Sequence, residues 1–508
     1  MSLWKKKKNQ DHNHTEEMPE VEEHLQYEEN GEHGLKRKRK KANTQIMQIT
    51  YIFVILFLAL IGYMIKFMVV DKDTVIANPR NKRQITFEER VVRGRIISSN
   101  EKVLAQTVTD SSGNQEREYP YSRMFAHVVG YDSNGRSGLE SSYNYQLLTS
   151  NANVFQQVAN ALKGDKNTGD DLYTTLDTRL QKAAYEALGD RKGAVIAIEP
   201  DTGKVLAMVS KPDFDPNTIK SSWESLNQSD ESVLLNRATQ GLYAPGSTFK
   251  VVTALEYMRE NSDYQNFQYT CTSQIIKNSN KISCYHGTAH GTVNLTQAIA
   301  KSCNTAFVEL GSDLNKKKLR SLADDLLFNQ SIPIDISSKK SSFLVDRSTQ
   351  DNQMPQTVIG QGNTLITPLN NALIMCAIAN DGVIMKPYIA DHIENYNGGE
   401  IKKYQPSKLA DALDKAEANE MKEMLKSVVQ DGTGSVLKTS MYSVAGKTGS
   451  AEYNANKDSH AWFVGMSNVE DPDLVVSVIV ENGGSGGATA APVAKAVFDS
   501  YYNNGLNN

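Results

Sequence analysis

The stretch Ala244-Pro245-Gly246-Ser247-Thr248-Phe249-Lys250 sets a hydroxyl and an amine three residues apart where a loop gives way to a helix. Pro245 and Gly246 end the loop, and Val251, Val252, Ala254 and Leu255 continue in an apolar helical register. Residues i and i+3 share a helical face, so Lys250 is expected beside Ser247. A serine hydroxyl becomes a good nucleophile when an adjacent base takes its proton, and a partly desolvated lysine amine can be that base. The free N–H groups of a helix start suit a developing oxyanion. Ser2, Ser99, Ser337 and Ser435 also have Lys three residues on, but none has both the Pro-Gly entry and the apolar helix. Taken alone, Ser247 reads equally well as an ordinary helix cap.

Two further elements give the pair a context. In Lys301-Ser302-Cys303-Asn304, a hydroxyl and an amide two residues apart can relay a proton to a leaving amine and hold a peptide group. Asn294 and Gln297 have the spacing of a capped helix start leading to it. In Ser443-Val444-Ala445-Gly446-Lys447-Thr448-Gly449-Ser450-Ala451, Lys447 and Thr448 would offer a cation and a hydroxyl to a carboxylate, and Gly449 would admit a ligand backbone. Each signal is common, but the ordered set Ser247, Ser302, Lys447 is not.

The elements that must bring these residues together are also legible. Leu180, Ala183, Ala184 and Leu188 share one face of a helix over Thr178 to Leu188. The apolar runs of Gly193 to Val209 flank Glu199-Pro200-Asp201-Thr202-Gly203 and predict two antiparallel strands; His460 to Met466 and Leu474 to Val480 predict a second pair. Helical patterns lie between, so the expectation is a sheet flanked by helices. Before it, residues 70–166 mix short β-like stretches with turn signals.

At 508 residues, with 39% hydrophobic and 22% charged, the chain is long enough for two or three cores and is neither collagen-like nor wholly disordered. A net charge of −4 argues against a nucleic-acid binder. The first 45 residues are polar and end in the cationic run Lys36 to Lys41, which reads as a disordered tail. Ile46 to Ile65 holds twenty residues without a charge, about 30 Å of helix, enough to span a bilayer. This helix begins too far into the chain for a cleaved signal and reads as an anchor. The basic run before it and the balanced charges after it predict a cytoplasmic N-terminus.

Of four cysteines, Cys271 and Cys284 bracket a short polar loop and are the candidate disulfide; Cys303 and Cys376 remain. No Cys/His spacing points to zinc and no P-loop is present, since Asn482-Gly483-Gly484-Ser485-Gly486-Gly487 lacks the following Lys. No cofactor or metal is expected.

The trio Ser-x-x-Lys, Ser-x-Asn and Lys-Thr-Gly marks penicillin-binding proteins and class A β-lactamases. The chain resembles a class B penicillin-binding protein, a peptidoglycan D,D-transpeptidase of the division or elongation type. Arg93-Gly94-Arg95-Ile96, Leu104-Ala105, Ala126 to Tyr131 and Gly138-Leu139-Glu140 resemble that family's pedestal. Gly360-Gln361-Gly362, Thr367-Pro368-Leu369 and His460 to Gly465 resemble its catalytic domain. Ser98-Ser99-Asn100 stands where many relatives have an Asp-Arg-Asn turn.

The resemblance implies an α+β, multidomain chain: a cytoplasmic tail over 1–45, a transmembrane anchor over 46–68, a mostly β pedestal over 69–166, and a transpeptidase domain over 167–508. That last domain would pair an antiparallel sheet flanked by helices with a helical subdomain. It further implies Ser247 as nucleophile, Lys250 as base, Ser302 as proton relay, and Asn304, Lys447, Thr448 and Gly449 as substrate-binding residues. The backbone N–H groups of Ser247 and Ser450 would form the oxyanion hole, an arrangement that requires strand and helix ends to meet. Peptidoglycan stem peptides are then the substrate, β-lactams the covalent inhibitors, and a polytopic glycosyltransferase in the plasma membrane the expected partner. A D,D-carboxypeptidase or β-lactamase would pass the same acyl group to water, and a non-catalytic sensor or scaffold would not need the trio whole.

Overall fold

The computed structural model describes residues 21–67, 91–151, 153–452 and 458–506, in two compact units, Met1–Ile76 and Ala77–Asn508. In the first unit one helix runs over Val21–Lys66, and its Asn43–Lys66 portion is long and apolar enough to cross a membrane. The tail expectation needs correcting here. Residues 1–20 and residue 68 lie outside the described residues, but 21–45 are helical and continuous with the apolar span. Adding turns to an existing helix avoids the cost of nucleation.

The second unit is built around two sheets. Strands β1 (Gly193–Ile198), β2 (Val205–Lys211), β3 (Val444–Ala451), β4 (His460–Ser467) and β5 (Leu474–Val480) form an antiparallel sheet in the order β3-β4-β5-β1-β2. The two strand pairs expected from the sequence are therefore joined edge to edge by β5 and β1. Side chains alternate across the sheet, and both faces are covered. Val195, Ala197, Val476 and Val478 pack under the helices Thr178–Leu188 and Ala491–Asn503. Ile196, Ile198, Val475 and Ile479 pack on the opposite side with the fully buried helix Pro368–Ala379. Asp177 caps the Thr178 helix by accepting from the N–H groups of Arg179 and Leu180.

The second sheet takes Gln115–Glu118, Val103–Thr109, Ile96–Ile97, Asp171–Thr174, Ala390–Glu394 and Glu400–Lys403 in that order. Chain from both sides of residue 166 thus shares one hydrogen-bonded ladder. Short helices Gly138–Ser142, Asn144–Leu147 and Val154–Lys163 accompany these strands, more helix than the turn-rich sequence suggested.

Under that sheet Glu140, with no solvent exposure, accepts from Arg93 Nε at 2.6 Å and from Arg117 Nε at 2.7 Å. Arg117 also donates to the Gly94 carbonyl at 2.7 Å, and Arg93 to the Asn144 side chain. Burial alone would raise the Glu140 pKa, but the guanidiniums of Arg117 and Arg93 reverse this to a net lowering. Removing one member of a buried ion cluster strands the others, at about 3–5 kcal/mol. Glu140→Ala should therefore lower the unfolding free energy by about that amount in urea titrations of the full chain. A loss below about 1 kcal/mol, typical of exposed pairs, would refute this role.

Candidate active site

Ser247 lies in a 3-10 turn, Gly246–Phe249, that runs directly into α1 (Lys250–Glu260). The nucleophile candidate is thus at a helix entry, as expected, with the first turn tighter than α. Gly246 has φ +53°, which disfavours any side chain, and its N–H donates to the Gly360 carbonyl at 2.9 Å. A Cβ on Gly360 would fall 2.0 Å from the Gly246 carbonyl oxygen, so the two glycines are pressed backbone to backbone.

Ser302 joins α2 (Leu295–Ala300) to α3 (Asn304–Gly311). Asn294 and Gln297 form the expected reciprocal capping box at the start of α2. Ser302 adopts φ +52° just past the end of α2, a position where glycine is the usual choice. A side chain is tolerated there at a modest cost in strain, and glycine would supply no hydroxyl.

The three stretches meet. Lys250 Nζ donates to the Ser302 carbonyl at 2.7 Å, to Asn304 Oδ1 at 2.6 Å and, more weakly, to Ser302 Oγ at 3.3 Å. From β3, Lys447 Nζ donates to the same Ser302 Oγ at 2.9 Å and to the Thr448 carbonyl at 3.0 Å. Asn304 Nδ2 donates to the Ser283 carbonyl at 2.8 Å. Both lysines are 0% exposed, whereas Ser247, Ser302 and Asn304 keep a partly open side. Burial lowers the Lys250 pKa to about 8, although Cys303 and Cys284 act in the opposite sense. Burial and then the charge of Lys250 lower that of Lys447 well below the ordinary lysine value.

Strand and helix ends also meet. A Cβ on Gly246 would lie 2.8 Å from the Ser450 carbonyl oxygen, and one on Gly449 would lie 3.1 Å from Thr248 Cγ2 and 3.2 Å from the Pro245 carbonyl oxygen. The peptide groups around Ser247 therefore run beside those around Ser450. Behind β3, a Cβ on Gly486 would lie 2.4 Å from the Gly449 carbonyl oxygen, and Trp462 Nε1 donates to the Ala244 carbonyl at 3.0 Å.

The sequence expectation differs from the structure at three points. No hydrogen bond joins Lys250 Nζ to Ser247 Oγ among the described residues; the amine is held by Ser302 and Asn304 instead. Catalytic contacts of this kind commonly tighten only when substrate docks. The Cys271–Cys284 disulfide is not formed: the two sulfurs stand 3.7 Å apart, and all four cysteines are free and buried. Thr433 was not foreseen; its hydroxyl shares a 2.5 Å hydrogen bond with that of Thr448. The turn Asp431-Gly432-Thr433-Gly434, following the long helix Lys415–Gln430, was the available signal.

Residues 193–499 match the penicillin binding protein transpeptidase domain, and residues 93–172 match the penicillin binding protein A dimerisation domain. The peptidoglycan D,D-transpeptidase PbpA of Mycolicibacterium smegmatis is 31% identical over 493 residues, covering 90% of this chain and 98% of the relative. Penicillin-binding protein A from M. tuberculosis, solved as an imipenem acyl-enzyme complex, superposes with a TM-score of 0.75 at 30% identity, covering 81% of this chain and 98% of that one. The D,D-transpeptidase domain of a peptidoglycan glycosyltransferase from Eggerthella lenta gives 0.74 at 33% identity, over 82% and 100%. Two buried lysines converging on one serine, on a fold and sequence shared this widely, leave one assignment: the chain belongs to the penicillin-binding protein transpeptidase family.

Proposed function

We propose that this chain is a serine peptidoglycan D,D-transpeptidase that cross-links stem peptides and is acylated by β-lactams. The observation that carries the reading is the convergence of Lys250 and Lys447 on Ser302 Oγ, with Lys250 three residues along the chain from Ser247 at a helix entry. Ser247 Oγ attacks the penultimate D-alanine carbonyl carbon while its proton passes to Lys250 Nζ. The tetrahedral oxyanion is held by the backbone N–H groups of Ser247 and Ser450. As the C–N bond breaks, Ser302 hands its proton to the departing D-alanine and takes back the one held on Lys250 Nζ, leaving an acyl-enzyme. A neighbouring stem's amine then attacks that ester and loses a proton, and Ser247 regains its own.

Asn304 binds the donor peptide, and Gly449 gives its backbone room. Lys447 and Thr448 take the terminal carboxylate, whose charge would restore the proton that burial disfavours on Lys447. Thr433, tied to the Thr448 hydroxyl, orients it.

Residues 69–166 serve as the pedestal and 167–508 as the transpeptidase domain, with the shared sheet as their seam. The span within 46–68 anchors the chain in the plasma membrane; the cationic run Lys36 to Lys41 before it supports a cytoplasmic N-terminus and an extracytoplasmic active site. The family resemblance supports a polytopic glycosyltransferase as partner. A carboxypeptidase or β-lactamase would use the same serine, and the acceptor distinguishes them.

Three outcomes follow. A fluorescent penicillin should label wild-type membranes and leave Ser247→Ala unlabelled; equal labelling would remove Ser247 as nucleophile. The wild-type acyl-enzyme should persist, whereas turnover of penicillin within seconds would favour a β-lactamase. If neutral Lys250 is the base, the acylation rate constant should rise about tenfold per pH unit below a midpoint of about 8 and level off above it. A rate that stays flat from about two pH units below that midpoint to about one above it would exclude Lys250 from that role.

A further inference from the structure

Beside Ser302 the structure gathers four side chains that the sequence keeps far apart. Cys271 ends the strand Tyr269–Cys271, Cys284 follows the strand Asn280–Ser283, His290 precedes the strand Gly291–Val293, and Cys303 is the residue between Ser302 and Asn304. Their Sγ and ring nitrogen atoms all lie within 4.8 Å of one another. The three sulfurs are buried and His290 is half-buried.

The distances discriminate between ways of using these thiols. A disulfide needs sulfurs about 2.0 Å apart. Zinc bonds of about 2.3 Å to sulfur and about 2.0 Å to nitrogen, at tetrahedral angles, set sulfurs about 3.8 Å apart and sulfur from nitrogen about 3.5 Å apart. Observed are 3.7 Å for Cys271 Sγ to Cys284 Sγ, 3.8 Å for Cys284 Sγ to Cys303 Sγ, and 3.5 Å for Cys271 Sγ to His290 Nδ1. These three match the edges of a zinc tetrahedron, and the remaining ligand pairs also lie within 4.8 Å. Thr305, wholly buried on the first turn of α3, donates its hydroxyl to Cys271 Sγ at 3.1 Å and lies 3.4 Å from Cys303 Sγ. A hydroxyl aimed at ligating sulfur is what orients and stabilises thiolates in metal sites.

We propose that Cys271, Cys284, His290 and Cys303 bind a thiophilic divalent cation of the zinc class in a closed four-ligand site that fixes the loop carrying Ser302. Three thiolates and an imidazole satisfy a tetrahedral ion without leaving a coordination position for water, so the ion is structural. Its work is positional. Cys303 is covalently between the residue that receives both lysines and the residue that holds Lys250, so anchoring its sulfur to two strand segments restrains both neighbours. Sequence spacing hid the site, because no two ligands fall in a Cys-x-x-Cys pattern and the first and last lie 32 positions apart. Cys376, buried in the helix Pro368–Ala379, takes no part.

The existence of the site does not depend on the transpeptidase reading; its effect on Ser302 does. The test uses the full chain, purified in detergent without chelator or added reductant, and zinc alone as the probe. About one zinc per chain is expected by elemental analysis, unchanged in Cys376→Ser and lost in Cys271→Ser and His290→Ala. Should those variants misfold, exchange of the wild-type metal for Co2+ should give thiolate charge-transfer bands and the strong d–d absorption of a tetrahedral ion. Stripping zinc from the wild type should slow the penicillin acylation step about 10- to 100-fold with initial binding unchanged, and returning zinc should restore it.

Negligible zinc in the wild type, cobalt spectra without sulfur bands, or a Cys271–Cys284 disulfide in the native chain would each overturn the proposal. Zinc present but without effect on acylation would overturn its positioning role. Absent zinc with normal Ser247 labelling would sink this inference alone; zinc present with no labelling would sink the transpeptidase reading alone.

Discussion

Two buried amines directed at one hydroxyl are the constraint from which the rest of the structure follows. Lys250 and Lys447 reach Ser302 Oγ from different elements, and neither has solvent to share its charge. In such a place two ammonium groups repel and are poorly solvated, so the low-energy arrangement keeps fewer protons than free lysines would. A neutral amine is thereby available at ordinary pH, and a site that has shed a proton has a standing affinity for an anion. The same dryness that makes the residues expensive to bury makes them competent in acid–base chemistry.

Holding that arrangement requires three backbones closer together than side chains allow, and the glycines mark where. Gly246 against Gly360, Gly449 against the Pro245 carbonyl, and Gly486 against Gly449 form a continuous contact from the helix entry through the strand to the loop behind it. The sheet supplies rigidity: β3 is an edge strand, but its whole length is paired to β4, which is itself central. Lys447 thus projects from a strand that cannot slip by one residue without turning its buried side chains to the wrong face.

Much of this was readable in advance because it obeys local rules. Continuous apolar runs marked four of the five strands of the catalytic sheet, turn chemistry marked the connection within each pair, and Asn294 with Gln297 marked the start of α2. The trio was legible because hydroxyl, amine and glycine at fixed spacing have few other uses in combination. What escaped depended on distance in the chain. That Lys250 would turn to Ser302 and Asn304 rather than to Ser247 is decided by where α3 begins. The contact between Thr433 and Thr448 needs the turn after Lys415–Gln430 to land on β3, and the sulfur cluster needs the ends of two strands, the start of a third and the turn between α2 and α3 to meet at one point. The helical character of residues 21–45 escaped for another reason: composition spoke of solvation, and solvated residues can still continue a helix begun elsewhere.

The six-stranded ladder carries a consequence for how this molecule can change over time. Asp171–Thr174 is bordered by Ile96–Ile97 on one side and Ala390–Glu394 on the other, so the seam between the two regions is a row of main-chain hydrogen bonds and not a linker. Recombination at a single point in the gene could not exchange one region for a foreign version without leaving raw strand edges that invite aggregation. The two halves are bound to evolve as one heritable block, drifting together and diversifying chiefly at their exposed loops.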